Sequence, residues 1–407
     1  MKKITSKTKT TTIAPKSPAQ ELREQLRVHL DENSVDITMI GMSVNSTFLI
    51  KNFSTPIGLF ILGEPGVGKT TVLRCMQYLP MALWRSRITP ASVAPAKENA
   101  DPDDALVNLL PEKTLMIPEM SPIFSDKKIF PVIASLMDGI GFSVVSGNGQ
   151  FGTNGQMRFN LIGCKPDLNS TELKNMGTVG PRFTSVRFPN INETDEENAE
   201  RLAALYQKTT YSKTVKKVGS ILEKHYALLQ DQFPDGVTWN HKLDSKNAVK
   251  KIATLSRLIA RGRAIVPRVD RKISEMPKPE DNKRLFSQLM DITRGSAVLD
   301  FRNFIQDSDL KVPLRIALDS LPYDRSKLLY DVLDSEGTIT SADYIKRRFA
   351  GVDENTSRGF CQERFKDMKA CGICSESKVD GVTKPYKAIK LNDPWTWMVD
   401  YFKSLTA

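Results

Sequence analysis

At 407 residues, 40% hydrophobic and 26% charged, the chain is long enough to bury a substantial core and to divide into two or three domains. It has no apolar run near the roughly 20 residues that a membrane helix needs, and its five scattered cysteines suit a reducing compartment better than a disulfide framework. A formal net charge of +11 leaves two readings open: a polyanionic partner, nucleic acid first, or a basic enzyme without one.

Residues 1–16 carry Lys2, Lys3, Lys7, Lys9 and Lys16 among Ser and Thr, with no acid. This predicts a disordered basic arm rather than a secretory leader, and a cytoplasmic location. Ser17, with Pro18 in the first turn and Gln20 to close a capping box, predicts the start of a helix. Leu22, Leu26 and Leu30 continue it at helical spacing.

The continuous apolar run Ile57 to Leu62 predicts a buried parallel strand, with a helix from Lys69 to Met76 after it. Further runs at Thr114 to Ile117 and Phe159 to Gly163 predict two more strands, so residues about 35–190 read as one α/β domain with a mainly parallel sheet. From Glu196 to about Asp319 the pattern is helical and basic. From about Pro322 it predicts three helices and then a hairpin at Asp380-Gly381.

Between the first strand and its helix lies Gly63-Glu64-Pro65-Gly66-Val67-Gly68-Lys69-Thr70, a P-loop followed by Thr71. Glycines are needed there because backbone N–H groups must converge on phosphate oxygens with no Cβ in the way. Lys69 brings a point charge to the β/γ phosphates, Thr70 a hydroxyl to Mg²⁺, and the helix its dipole. ATP with Mg²⁺ is the expected ligand. Glu119, just beyond the second strand, is the candidate base that polarises a water for attack on the γ-phosphate.

Gly63 to Thr70, Leu115 to Glu119 and Gly180-Pro181-Arg182-Phe183 fall in the order and spacing of an AAA+ ATPase module. Within that superfamily the chain resembles the minichromosome-maintenance (MCM) helicases and their mobile-element relatives. Ile88 to Ser92, Leu136-Met137-Asp138-Gly139, and a hairpin-like stretch over 142–158 before the third strand carry that resemblance.

The resemblance implies an α/β P-loop fold with a helical lid, and an ATPase assembled as a homo-oligomeric ring, a hexamer, acting on DNA. It implies that Arg182 is an arginine finger for a neighbouring subunit's γ-phosphate and that Arg284, at the start of a lid helix, is the sensor-2 residue. Arg257, Arg261 and Arg263 are its rivals. Two positions depart from the family pattern. Pro118 replaces the acid before the catalytic Glu, and Lys165 replaces the sensor-1 polar residue. Both weigh on hydrolysis and neither on ATP binding.

The predicted organisation is thus arm 1–16, AAA+ domain 17–195, helical lid 196–321, winged helix 322–392 and aromatic tail 393–407. In the winged-helix stretch the predicted helices are Arg325–Leu333, one capped by Ser341 and running through Phe349, and one capped by Asn355 and ending near Gly372. Cys361, Phe365 and Met368 mark the core face of the third. Arg358, Arg364, Lys366 and Lys369 are left for phosphates or base edges, joined by Lys384, Lys387 and Lys390 of the wing. A protein-docking role for this unit stays open, since acids there nearly match bases. Cys371 and Cys374 form a CxxC without a second ligand pair, read as a helix end running into a strand. Trp395, Trp397 and Tyr401 predict a tail packed on the protein.

Two function classes follow. One is a DNA-dependent, helicase-like ATPase in replication or mobile-element maintenance. The other is an ATP-controlled DNA- or protein-binding switch with weak or no hydrolysis.

Overall fold

The computed structural model describes residues 16–52, 55–93, 105–126, 128–146, 149–168, 172, 182–189, 196, 199–200, 203, 211–270, 272–377 and 387–406. The basic arm apart from Lys16, the Asp380-Gly381 turn and Lys384 lie outside them.

The capping box forms as the sequence predicts. Ser17 Oγ accepts from Gln20 N at 3.3 Å and Gln20 Oε1 from Ser17 N at 3.0 Å, opening α1 (Pro18–Arg27) with Leu22 and Leu26 buried. The next helix, α2 (Glu32–Ser46), is buried on nearly every side. Three of its buried hydroxyls are satisfied by the helix's own backbone: Thr38, Ser43 and Ser46 donate to the carbonyls four residues back.

β1 (Ile57–Leu62) leads through the glycine-rich loop into α3 (Lys69–Met76), and β2 (Ala82–Trp84), a strand the sequence reading did not anticipate, follows. Short helices α4 (Pro90–Val93) and α5 (Leu106–Leu109) precede β3 (Thr114–Ile117); α6 (Ser121–Ser125) and α7 (Ile129–Leu136) follow it. β4 (Gly141–Ser146) and β5 (Gly149–Asn154) make an antiparallel ribbon within the stretch expected to be a hairpin. β6 (Asn160–Lys165) and β7 (Phe183–Arg187) complete a five-stranded, all-parallel sheet in the order β2-β3-β6-β1-β7.

Alternation along the strands divides the core. Leu59, Ile61, Met116, Ile162, Cys164 and Val186 pack towards α2 and α3. Phe60, Leu62, Leu115, Ile117, Leu161 and Phe183 pack on the other face, where the Phe60 ring stacks on Phe183 at 4.7 Å between centroids. Helices cover both faces, as fully buried parallel strands require.

The basic stretch is helical where described: α8 (Tyr211–Gln232), α9 (Lys246–Arg263), α10 (Lys283–Leu299) and α11 (Lys311–Asp319), with a small ribbon of β8 (Arg268–Val269) and β9 (Lys272–Ile273). The C-terminal unit has α12 (Tyr323–Asp334), β10 (Thr338–Thr340), α13 (Ser341–Arg348), α14 (Glu354–Ala370), β11 (Cys374–Ser377) and β12 (Ala388–Leu391), its sheet ordered β10-β12-β11. The caps fall one or two residues before those expected. Thr340 accepts from Asp343 N at 3.1 Å and Asp353 from Thr356 N at 3.0 Å. Cys371 is the C-cap of α14 and Cys374 opens β11, so the CxxC does mark a helix running into a strand.

The C-terminal unit shares the core of the helical region. α15 (Trp397–Thr406) and the residues before it fold back, with Trp395 Nε1 donating to Thr254 O at 2.9 Å. Arg325 donates to Gly262 O and Ala264 O at 2.8 and 2.7 Å. Buried Asp319 joins sheet and helices: its Oδ2 accepts from Arg187 N at 2.8 Å and Arg315 Nε at 2.6 Å, and its Oδ1 from Tyr330 OH at 2.9 Å. None of the helices among the described residues is long and apolar enough to cross a membrane.

Candidate nucleotide site and basic groove

The carboxyl ends of β1, β6 and β3 lie side by side, the edge at which open parallel sheets bind ligands. Leu62 pairs with Lys165, and Ile117 with Gly163. Beyond Ile117 the backbone stays zipped to β6 through Met120 N to Cys164 O, 2.8 Å, which fixes Glu119 at this edge. Glu119 is exposed, and its Oε1 accepts from Ser121 N at 2.9 Å.

The loop from Gly63 to Gly68 turns through left-handed backbone at Gly66 (φ 88°) and Gly68 (φ 100°), where a side chain would be strained. Gly68 caps α3 without a side-chain hydrogen bond, leaving the first amides of the helix to a ligand. Glu64, Pro65 and Gly66 are exposed, while Val67, Thr70 and Thr71 are half-buried. Lys69 Nζ points back into the loop and donates to Gly63 O at 2.5 Å and Glu64 O at 2.7 Å. Burial holds the Lys69 pKa below the ordinary lysine value, against the opposing influence of Cys164, Glu119 and Glu64. An amide-lined turn, a lysine aimed into it and a carboxylate whose charge the lysine feels fit a phosphate chain with a divalent cation.

Lys165, at the carboxyl end of β6, is buried against the α6–α7 side. Its Nζ lies 2.8 Å from Glu172 Oε2 and 5.6 Å from the Phe124 ring centroid. Its ammonium is committed to an internal ion pair.

Arg182 and Arg284 stand at the opposite edge. Phe183 pairs with Gly58, so Arg182 lies beside the amino end of β1. Arg182 Nε and Nη2 donate to Asp138 Oδ1 and Oδ2 at 3.1 and 3.0 Å, and Arg284 Nη2 donates to Oδ1 at 2.7 Å. Gln288 Nε2, one turn further along α10, donates to Arg182 O at 3.0 Å. The structure therefore does not bring Arg284 to the phosphate loop of its own chain, but to Arg182. Two of the rivals are used elsewhere: Arg261 donates to Gly372 O and Arg263 to Ser320 O. Sequence reasoning gave Asp138 no role. The signal was its place in Leu136 to Gly139, but its partners are distant in the chain.

In the C-terminal unit, Arg358, Lys366, Lys369 and Lys387 with Glu376 line a groove of about 180 Å³ bounded by α13, α14 and β12. Arg358 is paired to Glu354 at 2.5 Å and Lys369 to Glu376 at 3.0 Å. Arg364 does not belong to the groove, because it is held to Asp324 of α12 at 2.5 Å. The predicted core face holds: Cys361, Phe365 and Met368 are buried. On another face of α14, Asp367 pairs with Arg268 at 2.5 Å, tying this helix to the helical region.

Compared with known proteins, the chain matches no family model and no curated sequence.

Proposed function

We propose that the chain is an AAA+-type ATPase of the MCM-like kind that assembles into a ring, a hexamer in the family it resembles, and acts on DNA. The observation that carries this reading is the division of the sheet. The P-loop and Glu119 stand at the carboxyl edge, while Arg182 and Arg284 share Asp138 at the amino edge. Strand β7 separates the two, and at about 3.3 Å per residue that is roughly 15 Å, too far for a guanidinium to reach its own chain's nucleotide. In a ring the pair would serve a phosphate presented by a neighbouring copy.

Residues 63–71 would hold ATP, with Lys69 on the β/γ phosphates and Thr70 on Mg²⁺. Bound ATP supplies the phosphoanhydride to be cleaved, and Mg²⁺ neutralises charge on its oxygens. Glu119 accepts the proton of the attacking water, and Arg182 with Arg284 in trans faces the charge that develops on the γ-phosphate. The C-terminal unit is read as a winged helix whose groove, lined by Arg358, Lys366, Lys369 and Lys387, takes the DNA backbone. The β4–β5 ribbon lines the pore.

The second reading, an ATP-controlled switch with little turnover, is favoured by two observations: Lys165 is locked to Glu172, and Pro118 leaves the strand end one carboxylate short. Steady-state ATP turnover with and without single- and double-stranded DNA separates the two. DNA-stimulated turnover supports the motor; tight ATP binding without turnover supports the switch; no ATP binding sinks both.

A further inference from the structure

A second basic surface, which shares no lining residue with the C-terminal groove, lies on α8. The apolar face of this helix is used up inside the protein: Val215, Val218, Leu222, Tyr226 and Leu229 are buried. Gly219 sits against Tyr78, just past the end of the P-loop helix, so closely that a Cβ would lie 2.3 Å from the ring. α8 is therefore packed directly on the element that begins with Lys69. Its opposite face carries Lys213, Lys216, Lys217 and Lys224, all exposed. With His29 and Ser220 they border an open depression of about 410 Å³ that no carboxylate lines. Among the described residues none of these lysines forms an ion pair, whereas Lys16, Lys165, Lys369 and Lys403 each hold an acid.

We infer that this face of α8 is a second nucleic-acid contact, which takes the phosphate backbone without reading bases. From Lys213 to Lys224 the helix rises about 16 Å. A strand of duplex presents a phosphate about every 3.4 Å along its axis but winds around it, so a straight row of this length can meet two or more phosphates but no long run of one strand. Lysines on flexible stems suit phosphates as point charges, and the residues lining the depression include no Phe, Tyr or Trp, with His29 the one ring among them, which argues against a row of base-stacking platforms. An anionic membrane is the weaker partner, because an interfacial helix needs a free apolar face and that of α8 is buried. Seated on the P-loop helix, the contact places the nucleic acid next to the element that responds to nucleotide. The inference rests on the nucleic-acid part of the proposed function and not on ATP turnover.

The test is the full chain with Lys213→Gln, Lys216→Gln, Lys217→Gln and Lys224→Gln together, compared with wild type. Gln has nearly the helix propensity of Lys, so circular dichroism and unfolding should be unchanged. Fluorescence anisotropy with a labelled duplex of unrelated sequence is followed across a salt series. The slope of log K against log salt should become shallower by about 0.9 for each lysine that meets a phosphate, a total of about 2 to 4, alike on all duplex sequences. Wild-type binding with an unchanged slope and affinity in the variant overturns the inference and leaves the DNA reading standing. A wild-type chain that binds no DNA overturns both. Loss of binding only to phosphatidylserine vesicles, with DNA binding kept, reassigns the face to a membrane and overturns it as well.

Discussion

Arg182 and Arg284 share one carboxylate, with Arg182 Nη2 2.9 Å and Arg284 Nη2 2.7 Å from Asp138 Oδ1. Burial works to raise the Asp138 carboxyl, yet the hydrogen bonds and charges of Arg182 and then Arg284 outweigh it and hold the pKa below the usual carboxylate range. A depressed folded pKa contributes stability that is present above the unfolded value and is lost as pH falls through the folded one. Wild type should therefore lose this contribution only below about pH 4. Asp138→Asn should cost about 1–3 kcal/mol at neutral pH, because two partly buried guanidinium groups lose the negative charge and one of the two oxygens that accept from them. Urea unfolding at pH 7 and pH 3 checks this; an equal difference between the two proteins at both pH values would count against the pairing.

Lys69→Ala should abolish Mg-ATP binding, since the loop then offers the phosphates only amides and the helix dipole. Among the described residues Lys69 is the one side chain of the cradle that donates into it. Calorimetry decides: equal affinity in mutant and wild type would remove the P-loop from the ligand site.

Glu119→Gln should keep ATP affinity and lose turnover by about 10²-fold or more, as loss of a positioned base does. Because Arg182 and Glu119 stand at opposite edges of the sheet, their defects should complement. Mixing inactive Arg182→Ala with inactive Glu119→Gln should restore part of the turnover, since some interfaces of a mixed ring pair an intact Glu119 with an intact Arg182. No recovery in demonstrably mixed oligomers would sink the trans arrangement.

Asp319→Ala should destabilise the chain by about 2–4 kcal/mol, because it leaves the buried Arg187 N and the half-buried Arg315 guanidinium and Tyr330 hydroxyl each with a partner missing. Tyr330 is the reporter: burial first, then the Asp319 charge, push its hydroxyl well above the ordinary tyrosine range. A spectrophotometric tyrosine titration of Asp319→Ala in mild conditions should show one hydroxyl becoming easier to ionise. An unaltered titration and unaltered stability would contradict the network.

The features legible in the sequence were those where local chemistry leaves little choice. The glycines at 66 and 68 need left-handed backbone, Ile57 to Leu62 is apolar at every position because both faces of its strand are covered, and Cys361, Phe365 and Met368 repeat at the helical period. α2 was hidden because burial on all sides leaves no amphipathic period, and its Thr and Ser residues bond to their own turns while looking like surface. β2 is a three-residue edge strand, too short to show alternation. The meeting of Arg182 and Arg284 at Asp138 depends on how α10 packs below the sheet, which no window of sequence contains.

The C-terminal groove makes the last prediction, and the packing dictates how it must be tested. Trp395 is buried against Thr254, and Arg325 is bonded to Gly262 and Ala264, so the unit is completed by the helical region and belongs in the full chain. Lys366, like Lys387, has no ion pair among the described residues and is more available to phosphate than Lys369, which must first leave Glu376. Lys366→Ala should therefore weaken DNA binding more than Lys369→Ala, and Glu376→Gln should strengthen it by releasing Lys369. Arg364→Ala should leave binding unchanged, since Arg364 faces Asp324 outside the groove. If Lys366 meets only phosphate, its loss acts alike on all sequences and lowers the salt slope by about 1. A change in sequence preference would mean that it reads a base edge. Anisotropy across a salt series, on two unrelated duplexes, measures all four variants. If Arg364→Ala weakens binding and Lys366→Ala does not, DNA lies along α12 rather than in the groove.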